Sequence, residues 1–482
     1  MANSNNYPLP DYLRSAKPNP QENRAPWYTN TAPSYAGIFL WIAFYDQLAG
    51  GTLNVGGITA AVIGLVVAAF LAFLLFYLAP ALWGMKTGYP LYIIGSSTFG
   101  DKGGYFLPGL FMGVLQVGWY SVGTYFATQF ILNCIYGAAA APGPKTITFI
   151  IAGIVWGYAF AIIGLKGIQY VAKISTYFPI VPTLMLLYAL FCGAKGISQF
   201  DLSSIDYSKI AADAKKGVEN PTFMLGILMM IQLVIGFTAT AGAAGADFGM
   251  NNRNKKDVFM GGLVGIAGAI IFCGVLPILT IAGLMALTPD MAYATENAWT
   301  FSQAIGSLAG GRLMFLLFAI ASMAPACFCS FIIANSFSTM IPSVSRAAWT
   351  MGGATIGIIL AVTGAAGQLG AFFGLIGACF GPVCGAMTAD YILCGGIWPG
   401  PRKGINLAGY IAVIVGFIVG IIPSLPAGSM LVLGIPPIML SIPIMGTIAP
   451  AALYSYIVGF IVYLFLALSG LQPEAISMNQ EK

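Results

Sequence analysis

Histidine is absent from this sequence of 482 residues, and charged residues are scarce, at 7% of the chain. Without histidine, the chain lacks the usual general base, the usual proton shuttle and the commonest metal ligand. Ordinary soluble domains contain about a quarter charged residues, whereas 58% of this chain is apolar. The composition excludes a soluble enzyme and a disordered protein. It predicts an integral membrane protein whose solvent is the lipid bilayer and whose proton chemistry must use carboxylates.

Cysteine is sparse as well, with eight residues that all lie in apolar runs. They form no C-x-x-C pair and have no histidine beside them, so the sequence indicates neither a zinc site nor a disulfide framework. The basic excess is small, at +5, and forms no stripe with interleaved aromatic residues, so nucleic acid is not an expected partner. The polar, Pro-rich N-terminus lacks a charged segment followed by an apolar core, which predicts no cleavable signal peptide.

The apolar runs between Gly, Pro and charged residues predict twelve membrane helices, since a spanning helix needs about 20 to 25 residues. They lie near 34–57, 58–84, 105–139, 146–165, 170–194, 221–247, 257–288, 313–342, 349–367, 368–397, 404–425 and 446–470. Two amphipathic stretches, 198–220 and 289–312, are too polar to span and are predicted to lie on the membrane surface. The Pro-rich stretch 426–444 is predicted to be a loop or a re-entrant turn.

The basic residues predict the orientation of these helices. With a cytoplasmic N-terminus, most of the 20 Lys and Arg residues fall in inner segments. The remainder lie mostly in long outer loops, which cross the membrane with little regard to charge. We therefore expect a multi-pass protein of the plasma (inner) membrane with both termini in the cytoplasm.

The helices divide into two halves with matching interruptions. The predicted organisation is a tail (1–33), helices one to five (34–197), a connecting segment (198–220), helices six to ten (221–397), helices eleven and twelve (398–470) and a second tail (471–482). Because each half has an odd number of helices, five, the second half crosses the membrane in the opposite orientation to the first. Gly50 and Gly51 interrupt the first helix, and Gly236, Gly242 and Gly245 interrupt the sixth. Paired broken helices mark the central site of a transporter, because an unwound turn is tolerated only where it lines a cavity.

Five segments together resemble the nucleobase:cation symporter-1 family, and in particular its bacterial cytosine permeases. They read "AGGTLNVGG", "STFGDKGGYFLPGLFMGVLQVGW", "GFTATAGAAGADFGMNNRNKKD", "ACFCSFIIAN" and "GPVCGAMTADYIL". The similarity covers about 34–397. It implies an all-α, LeuT-like fold in which ten core helices form a five-plus-five inverted repeat with broken helices 1 and 6, plus two peripheral helices. It also implies import of a planar heterocyclic base with a coupling cation, and no cofactor apart from a possible bound Na⁺.

The resemblance assigns ligand contacts to the third helix. A Gln and a Trp three residues apart hold the base in this family, and Gln116 and Trp119 match them. The chemistry is consistent, because a flat base lies readily on an indole face and its N–H and C=O groups need an amide that both donates and accepts. Counting from Asp247, the family's second aromatic partner falls on Thr238, with Phe237 beside it. Either Phe237 covers the base after a shift of one residue, or the pocket has a single aromatic wall.

The eighth helix carries the positions that match the family's cation site. Ala326 would supply a carbonyl, Cys329 and Ser330 occupy the two hydroxyl positions, and Asn335 matches a ligand-binding Asn. Backbone carbonyls near Phe39 and Ile42 would complete the sodium site. Thiol is a poor sodium ligand, so Cys329 departs from the pattern, and the Ser330 hydroxyl has the alternative of bonding back to its own helix.

Asp46 lies outside the family pattern. A carboxylate beside a helix break in the membrane is costly and by default indicates function. Asp46 could bind a cation, accept a hydrogen bond from the ligand, or carry the proton of a proton symporter. The alternative to these functional roles is that its side chain simply reaches the outer membrane surface. Two other acids are expected at helix ends, with Asp247 near Arg253 and Asp390 paired with Arg402 or Lys403.

Three other function classes are an integral-membrane enzyme, a channel and a carrier of amino acids or amines. An integral-membrane enzyme needs a nucleophile with a base or a metal cluster, and the sequence offers neither, so we predict that the protein is not an enzyme. A channel would show a filter loop or charged rings. The strongest alternative is an amino-acid or amine symporter of the same architecture, with Asp46 holding the ammonium group.

Overall fold

A computed structural model describes residues 7–50, 52–165, 179–204, 222–288, 300–306, 308–341, 343–421 and 450–478. These residues are helical or irregular, and their β-pairing is confined to the isolated bridges Ala25 with Asn252 and Arg402 with Ala475. The predicted segment 426–444 and most of the connecting segment 198–220 lie outside the described residues. So does Gly51.

The helices are numbered along the chain. They are α1 (Asp11–Arg14), α2 (Thr31–Phe39), α3 (Ile42–Tyr45), α4 (Leu53–Leu71), α5 (Leu78–Thr87), α6 (Leu91–Phe99), α7 (Leu107–Tyr136), α8 (Ile147–Leu165), α9 (Ile180–Gly193), α10 (Phe223–Ala243), α11 (Gly245–Gly249), α12 (Lys255–Gly262), α13 (Ala269–Leu287), α14 (Phe301–Gly306), α15 (Gly311–Ala321), α16 (Met323–Met340), α17 (Arg346–Val362), α18 (Leu369–Leu393), α19 (Leu407–Ile421) and α20 (Ala451–Leu466). One π-helical turn, Ala72–Tyr77, joins α4 to α5, and another, Leu263–Gly268, joins α12 to α13.

The predicted membrane architecture is confirmed. Among the described residues, eight helices are long and apolar enough to cross a membrane, and α17 and α19 are shorter apolar helices. The first broken helix and α7 complete the predicted set. α7 has 30 residues and is more polar than the eight, because it carries the glutamine, threonine and serine side chains of the third helix. The polar helix is therefore the one that the sequence assigns to the ligand.

The first broken helix leaves the helical conformation twice. The first break, at Leu40 and Trp41, separates α2 from α3, and Trp41 adopts an extended backbone there (ψ 131°). The second is the turn after α3, which contains Gly50. The glycine pattern predicts the second break but misses the first, because that break contains no glycine. Gly57, at φ +72° inside α4, marks the predicted boundary between the first and second helices.

The second broken helix bends at Ala244, between α10 and α11. Gly242 and Gly245 flank this bend, as predicted. The prediction is wrong for Gly236, which lies within the continuous helix α10. Its role is close packing, since a Cβ at Gly236 would lie 2.7 Å from the carbonyl oxygen of Phe373 on α18.

Close helix contacts place α7 at the centre of the bundle. It packs against α15, α16, α17 and α18. The two broken helices meet on its open side, where α10 also crosses α4 without intervening side chains. A Cβ at Gly64 of α4 would lie 2.8 Å from the Cβ of Met230 on α10. The residues predicted to bind the ligand on α7 and α10 therefore share one region of the core.

A buried ion pair ties the end of α18 to the segment before α19. Arg402 donates to the Asp390 carboxylate at 2.9 Å, and the Ser97 hydroxyl donates to the other carboxylate oxygen at 2.6 Å. Lys403 instead pairs with Glu474 at 3.2 Å, and both of these side chains are exposed. The predicted pairing of Asp390 is confirmed, with Arg402 as the partner.

Asp247 lies in α11, and its carboxylate accepts a hydrogen bond from the backbone N–H of Leu91 at 3.4 Å. Arg253 makes its ion pair with Asp257, at 2.9 Å, rather than with Asp247. Asp247 therefore connects the second broken helix to the start of α6, which agrees with the helix-end position expected for it.

Candidate functional site

One face of α7 carries the predicted ligand contacts. Gln116, Trp119 and Gly123 follow one another at helical spacing, so they lie along a single stripe of the helix. Gln116 is 7% exposed and Trp119 is 5% exposed. A glutamine and a tryptophan are thus buried together in the middle of a membrane helix.

Trp119 lies at the centre of an aromatic cluster built from five helices and the break in the first helix. Its ring centroid is 4.8 Å from that of Phe237 on α10, 5.0 Å from that of Phe372 and 5.9 Å from that of Phe373 on α18, and 5.5 Å from that of Trp41. The Phe237 ring also contacts Phe39 of α2 and Phe44 of α3. This arrangement brings both broken helices onto the α7 stripe.

Phe237 and Thr238 of the sixth helix have different surroundings. Phe237 packs edge-on against Trp119, at an interplanar angle of 67°. Thr238 is buried, and its hydroxyl donates to the carbonyl of Ile235 in the same helix at 3.3 Å. Phe237 is therefore the aromatic side chain of the sixth helix that contacts Trp119, and the Thr238 hydroxyl is satisfied by its own helix.

The Trp119 and Phe237 rings touch directly. Two carbon atoms in contact lie about 3.5 to 4.0 Å apart, so a planar base between two parallel rings needs roughly 7 Å between their planes. A centroid separation of 4.8 Å leaves no such gap. A base sandwiched between them requires one ring to move outward by roughly 2 Å or more.

The amide of Gln116 has unused hydrogen-bonding capacity. Its nitrogen donates to the Met112 sulfur at 3.6 Å, and its buried oxygen receives no hydrogen bond from any described residue. A buried acceptor left unpaired costs about 1 to 3 kcal/mol. The amide is therefore able to bind a ligand that offers both a donor and an acceptor.

The predicted cation positions on α16, Ala326, Cys329 and Ser330, are buried. The Ser330 hydroxyl donates to the carbonyl of Cys327 at 3.0 Å. It also fills the space that a Cβ on Gly164 would occupy, so it faces α8. Ala326 and Cys329 are likewise buried, and Asn335 is half-buried on the same helix. Ser330 thus follows the back-bonded alternative.

The predicted carbonyl ligands lie at the first break. The carbonyl of Phe39 accepts no backbone hydrogen bond from the described residues, whereas the carbonyl of Ile42 accepts one from Asp46 N at 2.8 Å. No group of three or more Asp, Glu or Cys side chains among the described residues is arranged to hold a metal. A cation here would have to rely on backbone carbonyl and hydroxyl oxygens.

Asp46 is buried, with 2% of its surface exposed. One carboxylate oxygen accepts from the backbone N–H of Ser302 at 2.8 Å, and the Asp46 carbonyl accepts from Phe301 N at 2.9 Å. Asp46 therefore caps the first turn of α14 from a neighbouring segment. The alternative of an acid reaching the outer membrane surface does not fit this burial.

Sequence reasoning missed four residues of the cluster. Phe372 and Phe373 lie in an apolar run of the tenth helix that carries no local signal for a contact with Trp119. Thr240 was also missed; its hydroxyl accepts from the Trp119 indole N–H at 3.4 Å. The fourth, Trp41, was detectable as a large aromatic residue within the first broken helix.

Comparison with known proteins identifies the family. The family described as permeases for cytosine/purines, uracil, thiamine and allantoin matches residues 18–459. No curated protein sequence matches the chain.

Solved structures share the fold at low sequence identity. Mhp1, a nucleobase-cation-symport-1 family transporter, in a closed conformation with bromovinylhydantoin bound, matches with a TM-score of 0.59 and 15% identity, over 94% of this chain and 95% of that chain. Inward-facing Mhp1 matches with a TM-score of 0.62 and 15% identity, over 97% and 98% of the two chains. A Na⁺-coupled sialic acid symporter matches with a TM-score of 0.56 and 12% identity, over 95% and 92%.

These matches confirm the LeuT-like five-plus-five fold with two broken helices. They also confirm the family resemblance read from the sequence motifs, since the matched region includes all of those motifs. The chain belongs to the family of permeases for cytosine, purines, uracil, thiamine and allantoin.

Proposed function

We propose that the protein is a secondary-active symporter that imports a nucleobase or a related small heterocycle by alternating access. The observation that carries the proposal is the buried α7 stripe, on which an unsatisfied Gln116 amide lies one turn from the aromatic cluster around Trp119. The substrate class is that of cytosine, uracil, a purine, hydantoin or allantoin.

The chemistry of the stripe supports a planar, polar ring. Indole and phenyl faces bind a flat heterocycle by stacking, while the amide pairs with a ring edge that carries both N–H and C=O groups. The bound ligand named for Mhp1, bromovinylhydantoin, contains such a ring. An amino-acid or amine carrier is not favoured, since Asp46, the acid considered for the ammonium group, is bonded to α14.

We propose Na⁺ as the coupling ion. At the first break the buried Phe39 carbonyl accepts no backbone hydrogen bond from the described residues, and oxygen atoms of this kind suit a hard cation. Asp46 already accepts a backbone hydrogen bond from Ser302, a contact that gives its carboxylate a structural role at α14. The Ser330 hydroxyl keeps its lone pairs for a cation while it donates to the Cys327 carbonyl, and it would join the site by turning away from Gly164 of α8. Proton coupling through Asp46 is the competing mechanism, and uptake in sodium-free buffer distinguishes the two.

The membrane and the orientation are part of the same proposal. An importer of this kind belongs in the plasma (inner) membrane, and the distribution of Lys and Arg favours cytoplasmic termini. We assign the protein no enzymatic activity and no nucleic-acid partner. Accessibility of single cysteines introduced at residues 8 and 474 to a membrane-impermeant thiol reagent, in intact cells and in inverted vesicles, tests the orientation.

A thermal-shift panel of bases on the purified protein tests the substrate class. A ligand at 100 times its dissociation constant adds about 2.7 kcal/mol to the apparent stability, so cytosine, uracil, hypoxanthine, hydantoin or allantoin should raise the melting temperature. Asn335→Ala and Gln116→Ala should abolish the shift without unfolding the protein. Stabilisation by amino acids or amines, and by none of the bases, would contradict the proposal.

A further inference from the structure

We propose that Trp41, at the break of the first helix, is a ligand-binding residue whose indole N–H donates a hydrogen bond to a ring carbonyl of the substrate. The inference rests on the proposed function and deepens it. The Trp41 donor, from the first broken helix, acts on the ligand together with the Gln116 amide of α7. This donor selects heterocycles that carry an oxo group.

The indole N–H of Trp41 is a donor without an acceptor. Trp41 is 5% exposed, and no described residue accepts from its indole N–H. Burying a donor without an acceptor costs about 1 to 3 kcal/mol, so a group placed in this way gains most from an acceptor that arrives with a ligand. Gln116 contributes the complementary group, an unpaired acceptor oxygen.

Trp41 lies against α7. The Trp41 and Trp119 ring centroids are 5.5 Å apart. A Cβ at Gly123 would lie 3.5 Å from Cζ2 of Trp41, and Cζ2 is bonded to the ring carbon that carries the indole nitrogen. The N–H edge of Trp41 therefore lies against the stripe of α7 that holds Gln116, Trp119 and Gly123. The extended backbone at Trp41 directs the side chain onto this stripe.

Two other tryptophans with buried indole nitrogens provide a comparison. The indole N–H groups of Trp83 and Trp349 also have no acceptor among the described residues. Their rings, however, pack on Tyr391 and Phe337, respectively, and neither ring contacts Trp119. An unpaired indole therefore does not by itself mark a ligand site. Trp41 is distinguished by lying on the aromatic cluster, against the stripe of α7 that also carries the unpaired Gln116 amide.

The test replaces Trp41 by Phe, which keeps an aromatic ring and removes the donor. Dissociation constants are measured for cytosine, uracil, hydantoin and hypoxanthine on purified wild-type protein, Trp41→Phe and the control Trp83→Phe. We expect Trp41→Phe to weaken binding of the recognised base roughly tenfold, which corresponds to 1.4 kcal/mol. Trp83→Phe should change binding less than twofold, since its ring lies outside the cluster.

Thiocarbonyl analogues separate the hydrogen bond from lost packing. The analogues are 2-thiocytosine, 2-thiouracil, 2-thiohydantoin and 6-mercaptopurine, in which sulfur, a weaker acceptor, replaces a ring oxygen. The wild type should bind the oxo form several-fold more tightly than the thio form, and Trp41→Phe should lose that preference. An unchanged preference in Trp41→Phe, or equal binding by the two proteins, overturns the role of Trp41. Failure of the wild type to bind any base overturns the proposed function instead.

Discussion

Substitution of Asp46 separates a structural role from a role in ion coupling. The buried carboxylate accepts hydrogen bonds from Ser302, from the backbone N–H at 2.8 Å and from the side chain. A hydrogen bond to a charged group contributes about 1.5 to 3 kcal/mol, so Asp46→Ala should lower the free energy of unfolding by about that amount. Asp46→Asn keeps an oxygen that accepts from the same N–H, and it should lose only about 1 kcal/mol or less.

The assay pairs thermal unfolding of the purified variants with uptake into proteoliposomes. If Asp46 acts as the cap of α14 and sodium drives transport, Asp46→Asn should still concentrate the base. Two results would refute this reasoning. One is equal destabilisation by Asn and Ala. The other is an Asp46→Asn protein that exchanges base across the membrane but no longer concentrates it, which would identify Asp46 as a proton carrier.

Three further outcomes are expected. Trp119→Ala should weaken base binding by about 1 to 3 kcal/mol through loss of a stacking face, measured as a dissociation constant on folded protein; wild-type affinity would move the site elsewhere. Gln116→Ala should act similarly by removing the amide, and Gln116→Glu tests whether the donor is needed. Asp390→Ala should destabilise the protein by about 3 to 5 kcal/mol, because the buried Arg402 keeps its hydrogen bonds to the Ser97 and Pro473 carbonyls but loses its counter-charge. Glu474→Ala, in an exposed pair, should cost less than about 1 kcal/mol, and equal losses in unfolding experiments would contradict the assigned burial.

The fold was predictable because the membrane imposes strong rules. Apolar length identifies spanning helices, and the broken sixth helix bends between Gly242 and Gly245, as the glycine pattern predicts. The break at Leu40 and Trp41 was not predictable in this way. It occurs among bulky residues. There, the packing of Trp41 on Trp119 and of Phe39 on Phe237 overrides local helix propensity.

The candidate site was predictable only where a motif carried it. Gln116 and Trp119 lie on one helix, so their spacing alone brings them together. Contacts between helices leave no trace in local spacing, and Phe373 therefore escaped sequence reasoning. The direction of the Ser330 hydroxyl was equally hidden, because it depends on space left by Gly164 on another helix.

Uptake of a radiolabelled base into proteoliposomes tests the central claim most directly. Vesicles containing the purified protein are loaded with sodium-free buffer and diluted into either sodium or choline medium at the same pH. Cation-coupled base import predicts accumulation above the outside concentration in sodium, equilibration or less in choline, and competition by unlabelled base. Equal accumulation in the two media would contradict sodium coupling, and no uptake of any base would contradict the proposed function itself.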